Sequence, residues 1–382
     1  MSVQQQLPNE YRELTGERLA ERIAARKVEL GGRLCILGHH YQRDEVIRFA
    51  DFTGDSLKLS QLAAGQREAE FIVFCGVQFM AESADVLSSP RQVVCLPNLD
   101  AGCLMADMVD EASMRTALEE LAEMAGAPIV PISYVNTSAA IKAVTGRAGG
   151  ACCTSGNARR VFEWALSPGD KGGAGGEKIL AVPDQHLARN TAAAMGYDID
   201  RACALYDPDS PAGGLTAEDV RRATFILWKG YCHVHQVFTA EQIDRVRADR
   251  PGIRVIVHPE CPRDIVAAAD AAGSTEQIIR AVADSPAGSQ WAVGTESNLV
   301  NRLARRHGEK YVRVLSGGPA CCWQMGKIDL PHLLWVLDNL ADGRVVNRVR
   351  VPADVADDAR LAVQRMIAIG PAGDVARAEP KC

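Results

Sequence analysis

Residues 33–42 read RLCILGHHYQ: a short apolar run that stops at a glycine and passes into two imidazoles and a phenol. This is the grammar of a strand followed by a polar strand-end loop. The same punctuation recurs along the chain. In the first third EFIVFCG (70–76) and QVVCLP (92–97) run into VQFMAES and NLDAGC. In the second third PIVPISY (128–134), KILAVP (178–183) and TFILW (224–228) run into VNTSAA, DQHLARN and KGYCHVH. In the last third IRVIVH (253–258), QWAVG (290–294) and KYVRVLS (310–316) run into PECP, TESNL and GGPACC. Helical stretches at 57–68, 114–125, 239–248, 299–306 and 330–340 separate them. Apolar runs alternating with helices predict an α/β fold with parallel strands.

Each third therefore carries three strands with a polar cluster after each, and the third strand of each leads to a cysteine: Cys103, Cys232, and Cys321 or Cys322. This is a threefold repeat of structure, not of residue identity. Ligands of open α/β sheets bind beyond the carboxyl ends of the strands, so the polar loops are where a site is expected. Taken alone, the pattern also fits an α/β chain without internal repetition.

Composition narrows the class. With 382 residues, 47% hydrophobic and 24% charged, the chain can bury a sizeable core in two or three domains. A net charge of −6 leaves no basic surplus for a nucleic-acid partner. The polar N-terminus MSVQQQLPNEYRELTGERLA lacks the apolar core of an export signal, and no stretch is apolar enough to span a bilayer, so a cytoplasmic protein without a membrane partner is expected. In that compartment twelve cysteines point away from disulfides and toward metal ligands, a reactive thiol or small buried hydrophobes. No CxxC pair is present, which argues against a zinc ribbon or a dithiol redox site. Three distant cysteines suit an iron–sulfur cluster with one iron not held by protein, leaving a position open to substrate. The glycine-rich run SPGDKGGAGGEK (167–178) reads as a surface loop, and the tail IGPAGDVARAEPKC as loose.

Several strand-end residues could carry chemistry. His39, His40 and Tyr41 can donate to carboxylates and transfer protons. In His258-Pro259-Glu260-Cys261-Pro262 two prolines stiffen the loop and set His258 and Glu260 on one face, as a base and its partner; a rigid turn with an ion pair is the plainer alternative. Ser56, Tyr134, Asn136, Ser155, Ser274 and Thr275 offer hydroxyl and amide groups for phosphate or carboxylate, although serine and threonine also cap helices routinely. A cluster-bearing redox sensor, or a zinc hydrolase using His39, His40 and His258, would use some of the same residues.

Read together, GHHYQ, FADFTGDSLKLS, AGCLMADM, YVNTSAAIKA, CTSGNA, PDQHLARN, GYCHVH, HPECP, ADAAGST, GTESNLV and CWQM, in this order from about residue 34 to about residue 340, resemble the quinolinate synthase family. The resemblance implies three similar αβα sandwich domains with parallel sheets, in a pseudo-threefold arrangement around a central site. The expected boundaries are 25–110, 111–237 and 238–329, with the C-terminal helices of 330–370 packing back on the first. It further implies a [4Fe–4S] cluster held by Cys103, Cys232 and Cys322, the last chosen over Cys321 because the family's third ligand lies three residues before a Met, here Met325. The implied reaction joins dihydroxyacetone phosphate to iminoaspartate to give quinolinate, phosphate and two waters. The implied site comprises His39, Tyr41, Ser56, Tyr134, Asn136, Ser155, His235, His258, Glu260, Ser274 and Thr275. Within it Glu260 is the expected acid–base, Tyr41, His258 and His235 assist proton transfer, and His39, Ser56, Ser155 and Thr275 hold anionic groups. An aspartate oxidase or dehydrogenase that makes the unstable imine is the expected transient protein partner. Departures are the extra imidazole in His233-Val234-His235, the glycine-rich insertion near residue 170 and the tail beyond Leu340.

Overall fold

The computed structural model describes residues 4–65, 68–370 and 376–377; the rest of the tail, read above as loose, lies outside the described residues. The fold is α/β, with three mostly parallel sheets of five strands each. One compact unit comprises residues up to Cys103 together with Cys321–Ala353, and the other comprises Leu104–Ala320 with the segment from Asp354.

The first sheet is built from β1 (Leu34–His39), β2 (Phe52–Gly54), β3 (Phe71–Cys75) and β4 (Val93–Cys95). The second has β5 (Ile129–Tyr134), β6 (Ala151–Cys153), β7 (Lys178–Val182), β8 (Cys203–Tyr206) and β9 (Phe225–Trp228). The third has β10 (Arg254–Val257), β11 (Ala271–Ala272), β12 (Gln290–Gly294) and β13 (Tyr311–Val314), and the short strands β14 (Arg348–Val349) and β15 (Ala376–Arg377) follow. The spatial orders are β14-β4-β3-β1-β2, β6-β5-β7-β9-β8 and β13-β12-β10-β11-β15. Four parallel strands recur in one order, β4-β3-β1-β2, β9-β7-β5-β6 and β13-β12-β10-β11. Only the fifth differs: β14 pairs antiparallel with β4, β8 parallel with β9, and β15 antiparallel with β11. The repeat expected from the polar loops thus exists at the level of connectivity. The first and third sheets each have one more parallel strand than the sequence pattern suggested, β2 and β11, and the second has two, β6 and β8, all of them only two to four residues long.

The first strand of each set lies inside its sheet and is apolar on both faces, as a parallel strand covered by helices must be. All six residues of β1 are buried, as are five of the six in β5 and three of the four in β10. Around the second sheet the core gathers Met114, Leu121, Ile141, Leu180, Ile226 and Trp228. The indole Nε1 of Trp228 donates to the Met108 carbonyl at 2.7 Å, so its one polar atom is satisfied.

In the first unit the helix Leu330–Ala341 is tied to the helix Gly16–Leu30 through Asp338, whose buried carboxylate accepts from Arg22 Nη2 at 2.6 Å and Arg26 Nε at 2.7 Å. Among the described residues, no helix is long and apolar enough to cross a membrane. The following helix, Ala353–Ile369, belongs to the second unit and lies on Ala139–Arg147. Arg365 Nη1 donates to the carbonyls of Gly146 and Gly150, and Arg147 pairs with Asp358 at 2.6 Å. The backbones approach so closely that a Cβ on Gly146 would lie 2.0 Å from the Asp358 carbonyl oxygen. Gly146→Ala must separate the two helices, and overpacking of this kind costs about 1–3 kcal/mol. We expect that loss in chemical denaturation of the protein; an unshifted midpoint would mean that the C-terminal helix contributes nothing there.

Candidate functional site

The recurring strand order places chemistry at recurring positions. The first strand of each set leads into a side chain and its second neighbour: His39 and Tyr41, Tyr134 and Asn136, His258 and Glu260. The second strand leads into a hydroxyl: Ser56, Ser155, and Ser274 with Thr275. The fourth leads into Cys103, Cys232 and Cys322. Each pair spans the turn that follows its strand: the Gln42 N–H closes onto the His39 carbonyl and the Cys261 N–H onto the His258 carbonyl, each at 3.0 Å.

In the first unit His39 is buried and its Nδ1 accepts the Tyr41 peptide N–H at 3.1 Å, with the two rings edge to face at 4.7 Å. An Nδ1 that accepts leaves Nε2 as the donor of the neutral imidazole. Ser56 is half-buried and opens the helix Ser56–Gly65, while Asp55 Oδ1 takes the Lys58 N–H at 3.0 Å.

In the second unit two side chains bond one carboxylate directly and two more brace them. The Tyr134 hydroxyl donates to Glu260 Oε1. His235 Nδ1 lies 3.0 Å from Glu260 Oε2, and its Nε2 lies 3.2 Å from the Thr295 hydroxyl. The His258 ring stacks on that of His235, with centroids 4.5 Å apart. Its Nδ1 accepts the Glu260 N–H at 3.3 Å, so the neutral ring presents Nε2–H to the Ser155 hydroxyl at 3.1 Å. Tyr134, His235, His258, Glu260 and Thr295 are each less than 7% exposed. Groups so buried need the partners they have.

The electrostatics separate the roles. Burial drives His258 down to about 3, with the charge of Glu260 opposing and His235 adding. Burial alone would push the Glu260 acid up, but the imidazoles of His258 and His235, with hydrogen bonds from His235 and Tyr134, hold it below the ordinary carboxylate range. Glu260 is thus the anion of the group. Asp184 is pushed the other way, by burial first and then by the negative charge of Glu260. Two carboxyls pushed apart in this manner mark functional sites more often than structural ones.

Ser274 has a structural duty as well. It caps the helix Thr275–Ala283 by accepting the Gln277 N–H, and Gln277 takes the Ser274 N–H at 2.8 Å in return. Its hydroxyl also faces the Ser155–Gly156 turn, where a Cβ on Gly156 would lie 3.5 Å from Oγ. Thr275 is buried at the first helical position. Asn136 is half-buried, with Oδ1 shielded and without a hydrogen-bond partner among the described residues. The second unit therefore brings Tyr134, Ser155, His235, His258 and Glu260 into one network with Ser274 alongside, whereas His39, Tyr41 and Ser56 stand at the carboxyl ends of β1 and β2 in the first sheet.

Reading the sequence alone missed Asp184 and Thr295 as individual site residues. Asp184 caps the helix Gln185–Ala194 by accepting the Leu187 N–H at 2.6 Å, which is all that a sequence pattern reveals of it. Both lie in the strand-end clusters DQHLARN and TESNL, so position was the one available signal.

The cysteines divide by environment. Cys35, Cys75, Cys95, Cys152, Cys153 and Cys261 are buried, and burial raises all six thiols, the first three to about 12. Such thiols are inert packing groups. Cys103, Cys232 and Cys322 are half-buried and share one local frame. Each is followed by two turn residues and then by a three-residue 3-10 helix: Ala106–Met108, His235–Val237 or Met325–Lys327. A buried apolar residue comes next (Val109, Phe238 or Ile328), then the N-cap of a long helix (Asp110, Thr239 or Asp329). Cys321 is exposed and one residue out of this register. In the second frame the Cys232 thiol, a His235 nitrogen and a Glu260 oxygen lie within 4.8 Å of one another, a donor set able to hold a metal ion.

Comparison with known proteins agrees over the whole fold. Residues 21–368 match the family model described as quinolinate synthetase A protein. The quinolinate synthase of Anoxybacillus flavithermus is 49% identical over 363 residues, covering 95% of this chain and 96% of that protein. That of a Nocardioides species is 51% identical, covering 92% and 89%, and that of Corynebacterium glutamicum is 46% identical, covering 99% and 94%.

Proposed function

The chain belongs to the quinolinate synthase family, and from that premise we propose that it condenses dihydroxyacetone phosphate with iminoaspartate, releasing quinolinate, one phosphate and two waters, in the biosynthesis of NAD. The observation that carries this reading is the buried Glu260, an anion held between the Tyr134 hydroxyl and His235 Nδ1 beside a neutral His258. A condensation followed by two dehydrations moves protons on and off carbon, nitrogen and oxygen, and a positioned carboxylate with an adjoining imidazole can both take and return them.

The three half-buried cysteines in matching frames fit an iron–sulfur cluster with three protein ligands: one thiolate from each repeat, none stiffened in the core. A [4Fe–4S] cluster on Cys103, Cys232 and Cys322 would supply a Lewis-acidic iron with an open position. The other assignments concern the chain's own side chains. Glu260 is the acid–base. His235 Nδ1 orients its carboxylate, and His258 and Tyr41 assist the proton transfers, His258 with its Nε2–H on the Ser155 hydroxyl. His39, Ser56, Ser155 and Thr275, with Asn136 and Ser274, hold carboxylate or phosphate oxygens; donors at strand ends and helix starts suit such anions. We assign the three repeats to domains at 25–110, 111–237 and 238–329, working in the cytoplasm. Because iminoaspartate is unstable in water, transient contact with an aspartate oxidase or dehydrogenase is part of the proposal.

The test is an anaerobic assay of the iron-loaded protein with the two substrates. Quinolinate and phosphate should appear in equal amounts. Iron-replete protein that forms neither would defeat the reading. Within it, Tyr41→Phe should keep fold, iron content and substrate binding but lower turnover about a hundred-fold or more, since one proton-transferring hydroxyl is lost without change of shape. Parent-rate quinolinate formation by that variant would leave Tyr41 as a packing partner of His39.

A further inference from the structure

We infer that Asn190 is a positioning residue for Glu260: its amide clamps the loop that presents the carboxylate. The inference rests on the acid–base reading of Glu260 given above.

Asn190 lies in the helix Gln185–Ala194 of the second sheet and is 5% exposed. Its Nδ2 gives one hydrogen to the Pro259 carbonyl and the other to the Cys261 carbonyl, each at 2.9 Å. These carbonyls bracket Glu260. The Glu260 N–H is already committed to His258 Nδ1, and the Cys261 N–H to the His258 carbonyl at 3.0 Å. Prolines at 259 and 262 have no N–H to offer. The backbone about Glu260 is therefore fixed from one side by His258 and from the other by Asn190, a residue of a different sheet's helix layer.

The amide can sit only one way. Turned over, its Oδ1 would face two carbonyl oxygens. In the observed orientation Oδ1 is buried and has no hydrogen-bond partner among the described residues, an arrangement that is costly in a protein interior. The side chain keeps two donors on the loop at the expense of its own acceptor. Through that loop Asn190 sets the reach of Glu260 to Tyr134 and His235, where displacement by about an ångström can cost a hundred-fold in rate.

The experiment is a double-mutant cycle on the iron-loaded enzyme with Asn190→Leu, Glu260→Gln and both together. N190L keeps the branched four-atom side chain and removes both donors. Iron content and KM should stay near the parent values while kcat falls about thirty- to a hundred-fold. In the E260Q background N190L should cost almost nothing more, because a clamp acts only through the group it places. Equal losses in the two backgrounds would overturn the proposal, as would a parent-like kcat in N190L when E260Q is impaired. A parent-like E260Q would instead sink the acid–base reading itself. Should N190L load iron poorly, N190S, which is smaller and retains one donor, goes through the same cycle, and additive losses there count equally against the clamp.

Discussion

Glu260→Gln should lose about a hundred- to ten-thousand-fold in turnover, the usual worth of a general acid–base, while its iron and sulfide stay at the parent level. The substitution is nearly isosteric. Its amide oxygen still accepts from the Tyr134 hydroxyl, and the loop remains held by Asn190 and His258. What disappears is a site that can take up a proton, and with it the anion that His235 Nδ1 faces at 3.0 Å. The measurement is the initial rate of quinolinate formation without oxygen, beside the iron content of the same preparation. Turnover close to the parent rate would show that protons move elsewhere and that Glu260 is scaffold.

The second large effect separates two neighbouring thiols. Cys322→Ala should yield colourless or iron-poor protein without activity, since two remaining thiolates hold a cluster badly; Cys321→Ala should stay brown and active. Of the two, Cys322 alone stands in the frame that Cys103 and Cys232 share, two turn residues and a 3-10 helix ahead of a capped helix. Cys321 faces solvent. Iron contents in the reverse order would move the ligand to Cys321, and equal loss in both variants would mean that the pair acts together or that the segment has misfolded.

Much of this was legible beforehand, and the exceptions have physical causes. Nine strands announced themselves because each is an apolar run long enough to stand out between turn residues. β2, β6, β8 and β11 did not, since two to four residues barely display a period and their pairing is imposed by β1, β5, β9 and β10. Tyr134, His258 and Glu260 were visible because a phenol, an imidazole and a carboxylate directly after apolar runs are out of place in a core. Asp184 and Asn190 were not, because an Asp at a helix start and an Asn inside a helix have ordinary explanations. The contact that joins Asn190 to the loop spans 69 and 71 positions of chain to the two carbonyls, a separation that no local pattern encodes. The choice of Cys322 first rested on the spacing to Met325; the frame now supplies a reason independent of it.

The variable fifth strand has a practical side. β14 and β8 attach at one edge of the shared order, antiparallel and parallel respectively, and β15 at the other edge, antiparallel, whereas the strands that present His39, Tyr134 and His258 are flanked on both sides in every sheet. For protein engineering this marks out safe and unsafe ground. A reporter peptide or affinity handle inserted next to Cys203–Tyr206 perturbs one peripheral ladder, while the same insertion beside Arg254–Val257 would break two and drag Glu260 with them.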